Sequence, residues 1–170
     1  VLPAGERGEI CLRSPSQTVG YFRNPDATAT LFTDDGAVRT GDVGYLDEQG
    51  LLTIVDRQKN IIIVSGRNLS PKELEEGADR MDGVERCMAV GLDQGGDSGE
   101  QVHMVVEVAD PAAADRGLGR AVRATLQEHM GVRVQRVHVV PANTIPRTYN
   151  GKFQYPTMRA RLEASGSALA

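Results

Sequence analysis

From residue 60 onward, short runs rich in β-branched residues alternate with two helix signatures, and that order most limits the folds open to this chain. Asn60 to Val64 is apolar, β-branched and short enough for one strand. Ser70-Pro71-Lys72-Glu73 then announces a helix, with serine at the N-cap, proline at the first position and a glutamate placed to complete a capping box. Val84 to Leu92 and Gln101 to Val108 read as strands on either side of a Gly-rich loop from Asp93 to Gly99. Between Asp115 and Met130, Leu118, Val122, Leu126 and Met130 recur every four positions, the apolar stripe of a helix. Val134 to Val140 reads as a further strand and Pro156 to Ala164 as a last short helix. Strand, helix, strand, strand, helix, strand predicts a compact α+β domain, with a central sheet flanked by helices.

Upstream, residues 8 to 13 read as a strand, Gly20 to Leu31 as a turn and a short helix starting near Pro25, and Gly36 to Thr40 as a return strand. A turn at Asp47-Glu48-Gln49-Gly50 and a strand from Leu51 to Val55 complete a small β-rich lobe. The boundary falls between Asp56 and Asn60, giving a lobe over 1–57 and a second domain over 58–170. A length of 170 residues with 40% hydrophobic content suffices for one ordinary domain or two small ones. The net charge of -4 argues against a general nucleic-acid or anionic-membrane binder, whose footprint is basic. No apolar run approaches the roughly 20 residues needed to span a bilayer, and no signal segment opens the chain, so a cytoplasmic location is expected. Cys11 and Cys87 lack metal or redox spacing and are expected to be buried thiols without chemistry. His103, His129 and His138 have neither metal spacing nor a paired nucleophile, so core or surface roles are expected and no metal ligand is assigned. The chain has no GxSxG elbow and no Walker loop, which leaves hydrolase and P-loop readings unsupported. Opening on Val1 and the loop-like Leu2-Pro3-Ala4-Gly5 predicts a piece of a longer protein.

Several polar residues stand where they could carry chemistry. Lys152 follows Asn150-Gly151, a pair that favours a tight turn with positive φ. A lysine there is a hydrated point charge on a flexible stem, able to reach a phosphate or carboxylate oxygen, or else an ordinary surface lysine. Asp42 follows Thr40-Gly41 and is expected at a strand end, where its carboxylate could serve an Asx-turn or accept hydrogen bonds from a diol. Arg57 could form a surface ion pair or bind ligand oxygens with its rigid fork. Lys59 lies between two strands, as a solvated lysine or a hinge. Ser65-Gly66-Arg67-Asn68 is expected to form the loop after Val64, whose glycine either turns the chain or lets a ligand approach the backbone.

The order and spacing of four segments resemble the C-terminal third of the adenylate-forming superfamily, which comprises acyl-CoA synthetases, peptide-synthetase adenylation domains and firefly luciferase. They are Gly20-Tyr21-Phe22-Arg23-Asn24-Pro25, Arg39-Thr40-Gly41-Asp42, Asp56-Arg57-Gln58-Lys59-Asn60 with the run to Asn68, and Pro146-Arg147-Thr148-Tyr149-Asn150-Gly151-Lys152. The resemblance runs from about Gly5 to about Leu162. It implies that 1–57 is the final β-rich lobe of a large N-terminal adenylation domain, and that 58–170 is a mobile C-terminal domain. It implies that Asp42 holds the ribose hydroxyls of ATP, Arg57 contacts ribose or phosphate, and Lys59 is the hinge. It also implies that Ser65, Gly66 and Arg67 form the loop facing a thiol acceptor, and that Lys152 is the catalytic lysine of the motif Pro-x-Thr-x-x-Gly-Lys. After Lys152 the chain departs from the family, with Phe153-Gln154-Tyr155 where an arginine often follows. The form Ile61-Ile62-Ile63-Val64-Ser65-Gly66-Arg67-Asn68 is closest in flavour to fatty-acyl-AMP ligases. The implied activity is ATP-dependent ligation, in which a small carboxylic acid becomes acyl-AMP and its acyl group passes to the phosphopantetheine thiol of an acyl or peptidyl carrier protein. Coenzyme A as acceptor, and a non-catalytic docking or regulatory module of the same fold, are the alternatives. ATP and Mg2+ would be bound mainly through the N-terminal domain, a required partner, so the 170 residues alone are expected to be inactive.

Overall fold

The computed structural model describes residues 2–93, 99–110 and 117–165, and divides into two compact units, Val1–Lys59 and Asn60–Ala170. Residues 94 to 98 of the expected Gly-rich loop, and residues 115 and 116 at the start of the expected second helix, lie outside the described residues. Among the described residues no helix is long and apolar enough to cross a membrane.

The first unit is a three-stranded antiparallel sheet, β1 (Gly8–Leu12), β2 (Val38–Leu46) and β3 (Leu52–Arg57), with β2 in the middle. Its short helix α1 (Pro25–Ala29) begins where Asn24 accepts the N–H of Ala27 through its side chain and proline fills the first turn. Asp47 closes the β2–β3 connection, its carboxylate accepting the backbone N–H groups of Gln49 and Leu51. This unit buries few large apolar side chains; Leu31 and Ala37 are buried, while Leu51, Leu52 and Ile54 stay exposed. Cys11 is exposed, contrary to the expected buried thiol; it lies on β1, an edge strand of this three-stranded sheet.

The second unit opens with the hairpin β4 (Ile62–Val64) and β5 (Arg67–Leu69), then α2 (Pro71–Ala78), β6 (Arg86–Asp93), β7 (Glu100–Val108), α3 (Leu118–Met130), β8 (Val134–Pro141) and α4 (Tyr155–Ala164). The Ser70 hydroxyl accepts the Glu73 N–H at 3.4 Å, the cap that the sequence announces. In the central sheet β7 lies between β6, antiparallel to it, and β8, parallel to it and reached through α3. Alternate residues of the strands serve two cores. Cys87, Ala89, Val102, Met104 and Val106 meet Leu74 and Ala78 of α2 and Leu118, Val122 and Leu126 of α3. On the opposite face Met88, Val90, Leu92, Val105 and Val140 meet Ile145 and, from α4, Met158 and Leu162. Burial on both faces explains why β6 and β7 read as unbroken apolar runs, and each fully buried Leu or Val contributes roughly 1.5–3 kcal/mol.

Candidate active site

In the first unit, β2 continues through Thr40, Gly41 and Asp42 as far as Leu46, so Asp42 sits inside a strand rather than at its end. Gly41 takes a positive φ of 71°, and the register slips between Val43 and Gly44. The irregularity sets Asp42 directly opposite Arg57 on β3. The Asp42 carboxylate accepts the Arg57 Nε–H at 2.7 Å, which takes the place of the Asx-turn left open by the sequence. Thr40 fixes the local backbone, its hydroxyl accepting the Asp42 N–H at 3.0 Å and donating to the Ile10 carbonyl at 2.8 Å. The side chains of Asp42 and Arg57 keep 28% and 56% of their surface in solvent, so a ligand can reach both. Lys59 is exposed on a single 3-10 turn, Gln58–Asn60, between β3 and β4.

In the second unit, Arg67 and Asn68 belong to a strand, not to the loop expected from sequence. Ser65 and Gly66 alone turn the chain, with φ of 47° and 77°, and Val64 pairs with Arg67 across them. Positive φ at both central positions is the type I′ hairpin turn, whose twist matches that of its strands and which favours glycine. The turn is exposed. Arg67 reaches back toward the C-terminal end of α3, donating long hydrogen bonds of 3.4 and 3.5 Å to the Gly131 and Met130 carbonyls, where a cation complements the helix dipole.

Lys152 sits on a second tight turn. Gly151 donates its N–H to the Thr148 carbonyl at 2.9 Å, Thr148 to the Lys152 carbonyl at 2.8 Å, and Lys152 to the Thr148 hydroxyl at 3.0 Å. Only Gly151 has positive φ, at 82°; Asn150 does not, so this is the three-residue turn with a glycine bulge and not the two-residue form. The Lys152 side chain is exposed, and among the described residues it has no ion-pair partner. Below the turn Arg147 and Phe153 bridge, and Gln154 donates its backbone N–H to the Pro146 carbonyl at 2.9 Å and its side-chain Nε2–H to the Arg147 carbonyl at 2.7 Å. Gln154 and its neighbours thus fill the place where the family pattern has arginine. Phe153 and Tyr155 pack edge to face, and the Tyr155 hydroxyl donates to both oxygens of Glu75.

The structure therefore brings Asp42 to Arg57 in one unit, and Ser65 to Gly66 and Arg67 in the other; no hydrogen bond or ion pair among the described residues joins Lys152 to that turn. Sequence reasoning passed over Glu107, which sits 1% exposed on β7 and binds the segment below Lys152. Its signal was visible as one carboxylate inside the apolar run Met104-Val105-Val106-Glu107-Val108. It also passed over the pairing of His103 with His138, whose Nδ1 and Nε2 lie 3.1 Å apart with the rings stacked. Burial pulls the His138 imidazole down to about 4, with His103 and Arg136 adding to the effect, and burial followed by Arg136 lowers His103. Among the described residues no group of three or more His, Cys, Asp or Glu stands together to hold a metal ion.

No family model matches the chain. Individual proteins do. A long-chain-fatty-acid–CoA ligase of Salmonella typhimurium is 44% identical over 114 residues, 67% of this chain and 20% of that protein. The nonribosomal peptide synthetase apvA of Aspergillus terreus is 33% identical over 169 residues, 95% of this chain and 18% of that protein. The crystal structure of ATP-bound MatB from Rhodopseudomonas palustris matches with a TM-score of 0.81 at 33% identity, over 95% of this chain and 31% of that one. The chain thus spans between 18% and 31% of the length of these three proteins.

Proposed function

The chain belongs to the adenylate-forming superfamily, matching the C-terminal part of its members, and from that premise we propose that it works within an ATP-dependent ligase that activates a carboxylic acid. The carboxylate oxygen attacks the α-phosphorus of ATP, the bond to pyrophosphate breaks, and acyl-AMP results. A thiol sulfur then attacks the acyl carbon and AMP departs with the bonding electrons. The observation that carries this reading is the Lys152 turn, an exposed ammonium on a short hairpin clamped at its base. There the ammonium can meet the negative charge that builds on the attacking carboxylate and the α-phosphate, a preorganised stabilisation of the transition state. Asp42 offers a carboxylate to the ribose hydroxyls, and Arg57 beside it offers donors to ribose or phosphate oxygens. Mg2+, on this reading, would neutralise phosphate charge and would be held mainly by an N-terminal adenylation domain.

Val1–Lys59 is read as the closing lobe of the large adenylation domain, which suits its exposed Leu51, Leu52 and Ile54. Lys59, at the division between the units, is the hinge, and the Ser65-Gly66 turn faces the acceptor. A carrier-borne phosphopantetheine is the acceptor read from the sequence, and the likeness to a peptide synthetase supports it. Coenzyme A is the second reading, supported by the likeness to a CoA ligase.

The test is Lys152→Ala in the enzyme that carries this chain. Loss of one preorganised charge should slow acyl-AMP formation by roughly a hundredfold or more, while thioester formation from supplied acyl-AMP survives. Equal loss in both half-reactions would refute the assignment.

A further inference from the structure

The strand β7 is buried on both faces, yet at Glu107 it carries a carboxylate that water does not reach. A buried charge is tolerable only when its oxygens are taken, and both are. One oxygen accepts the backbone N–H of Ile145 at 2.7 Å, and the other accepts the Arg147 guanidinium at 3.0 Å. An apolar residue of similar volume would serve the core as well as an ion pair does, so bulk stability does not account for the charge. What it holds is specific. Ile145 is itself buried in the core beneath α4, and Arg147 directly precedes Thr148, which opens the turn bearing Lys152. Gln154 grips the Pro146 and Arg147 carbonyls from the returning side, and Tyr155 is tied to Glu75. The outgoing limb of the hairpin is thus fixed by the sheet and the returning limb by the start of α4.

We propose that Glu107 is a positioning residue for Lys152: with Arg147 as its charged partner, its carboxylate sets where the hairpin leaves the sheet and so where the Lys152 ammonium is presented. The inference rests on the reading of Lys152 given above. A charge-assisted bond to a planar guanidinium fixes direction as well as distance, which a lysine on a flexible stem does not do for itself. In the acyl-AMP half-reaction the ammonium must lie between two oxygens, and misplacement by about 1 Å is enough to slow such a step up to a hundredfold.

Glu107→Gln in the enzyme that carries this chain keeps the volume and an oxygen for Ile145 but removes the charge facing Arg147. Acyl-AMP formation should fall roughly tenfold to a hundredfold, with thioester formation from supplied acyl-AMP unchanged. A purely structural role would slow both. In the Lys152→Ala background, Glu107→Gln should have no further effect on acyl-AMP formation; losses that multiply would overturn the proposal. If Glu107→Gln does not fold, Arg147→Gln removes the same ion pair from its more exposed side, and normal acyl-AMP formation by that folded variant would also overturn it. Should Lys152→Ala itself leave acyl-AMP formation intact, the reading of Lys152 falls and this role with it. Should Lys152→Ala slow the step while Glu107→Gln does not, this role alone falls.

Discussion

The His103–His138 pair should make the stability of the second unit depend on pH well above the usual carboxylate range. Both rings are buried, at 2% and 6% exposure, and their facing nitrogens are 3.1 Å apart, so one must donate and the other accept. Two imidazolium rings would turn both nitrogens into donors, and the nearby Arg136 discourages even one. The far nitrogen of His103 has no hydrogen-bond partner among the described residues, so added charge there would find no compensation. With His138 lowered to about 4 from 6.5, the unfolded chain binds the extra proton first as pH falls. Stability is therefore full above about pH 6.5, declines as pH falls, and stops declining below about pH 4. At about 1.4 kcal/mol for each pH unit the total is about 3 kcal/mol, of which about 2 kcal/mol is gone by pH 5. Urea unfolding followed by far-UV circular dichroism at about pH 7.5 and pH 5, on the parent and on His138→Leu, isolates the effect, because carboxylates elsewhere cancel between the two. The parent should lose about 2 kcal/mol more than the variant over that interval. Parallel losses would refute the argument.

Two further outcomes test the division of labour between the units. Lys59→Pro fixes φ and removes a backbone donor at the division, so the enzyme carrying this chain should make and retain acyl-AMP but fail to pass it on; unimpaired transfer to both a phosphopantetheinylated carrier and CoA would remove the hinge role, and the parent's faster thiol identifies the acceptor. The 170 residues by themselves should release no pyrophosphate from ATP in response to any carboxylic acid, and carboxylate-dependent release by the purified chain would contradict the proposed partition.

Much of the fold was legible because its signals are local. Ser70, Pro71 and Glu73 sit within one helical turn, and the α3 stripe repeats every four residues, so neither needs knowledge of distant contacts. The strand β5 escaped notice because three residues carry no periodicity, and Ser65-Gly66 can turn a loop as readily as a hairpin. Asp42 reads as a strand end because the flexible Gly41 precedes it; across an irregular register the strand simply continues. The candidate site divides in the same way. Lys152 announces itself by its turn, whereas Glu107 meets Ile145 and Arg147 across 38 and 40 residues, and His103 meets His138 across 35. Those encounters depend on how β7 pairs with β8 and where the chain returns beneath α4, which no short window of sequence contains.

The charged candidate residues of the two units, each taken within its own unit, are separated by their exposure. Glu107 is buried with a donor on each oxygen and presents almost no surface to a ligand, so it holds geometry. Asp42 and Arg57 also face each other, but with 28% and 56% of their side-chain surface in water. An exposed pair of that kind is worth roughly 0.2–1 kcal/mol, while a hydrogen bond from a ligand to a charged group is worth about 1.5–3 kcal/mol. The pair can therefore open toward a diol or a phosphate at little cost, and until then each side chain keeps the other aimed across the strands. Lys152 completes the series, exposed and without an ion-pair partner among the described residues, its backbone rather than its side chain bearing the constraint. Within the second unit the fixed Glu107 carboxylate and the exposed Lys152 ammonium stand at opposite ends of that range, and the proposed function needs the constraint on the backbone and the freedom at the ammonium.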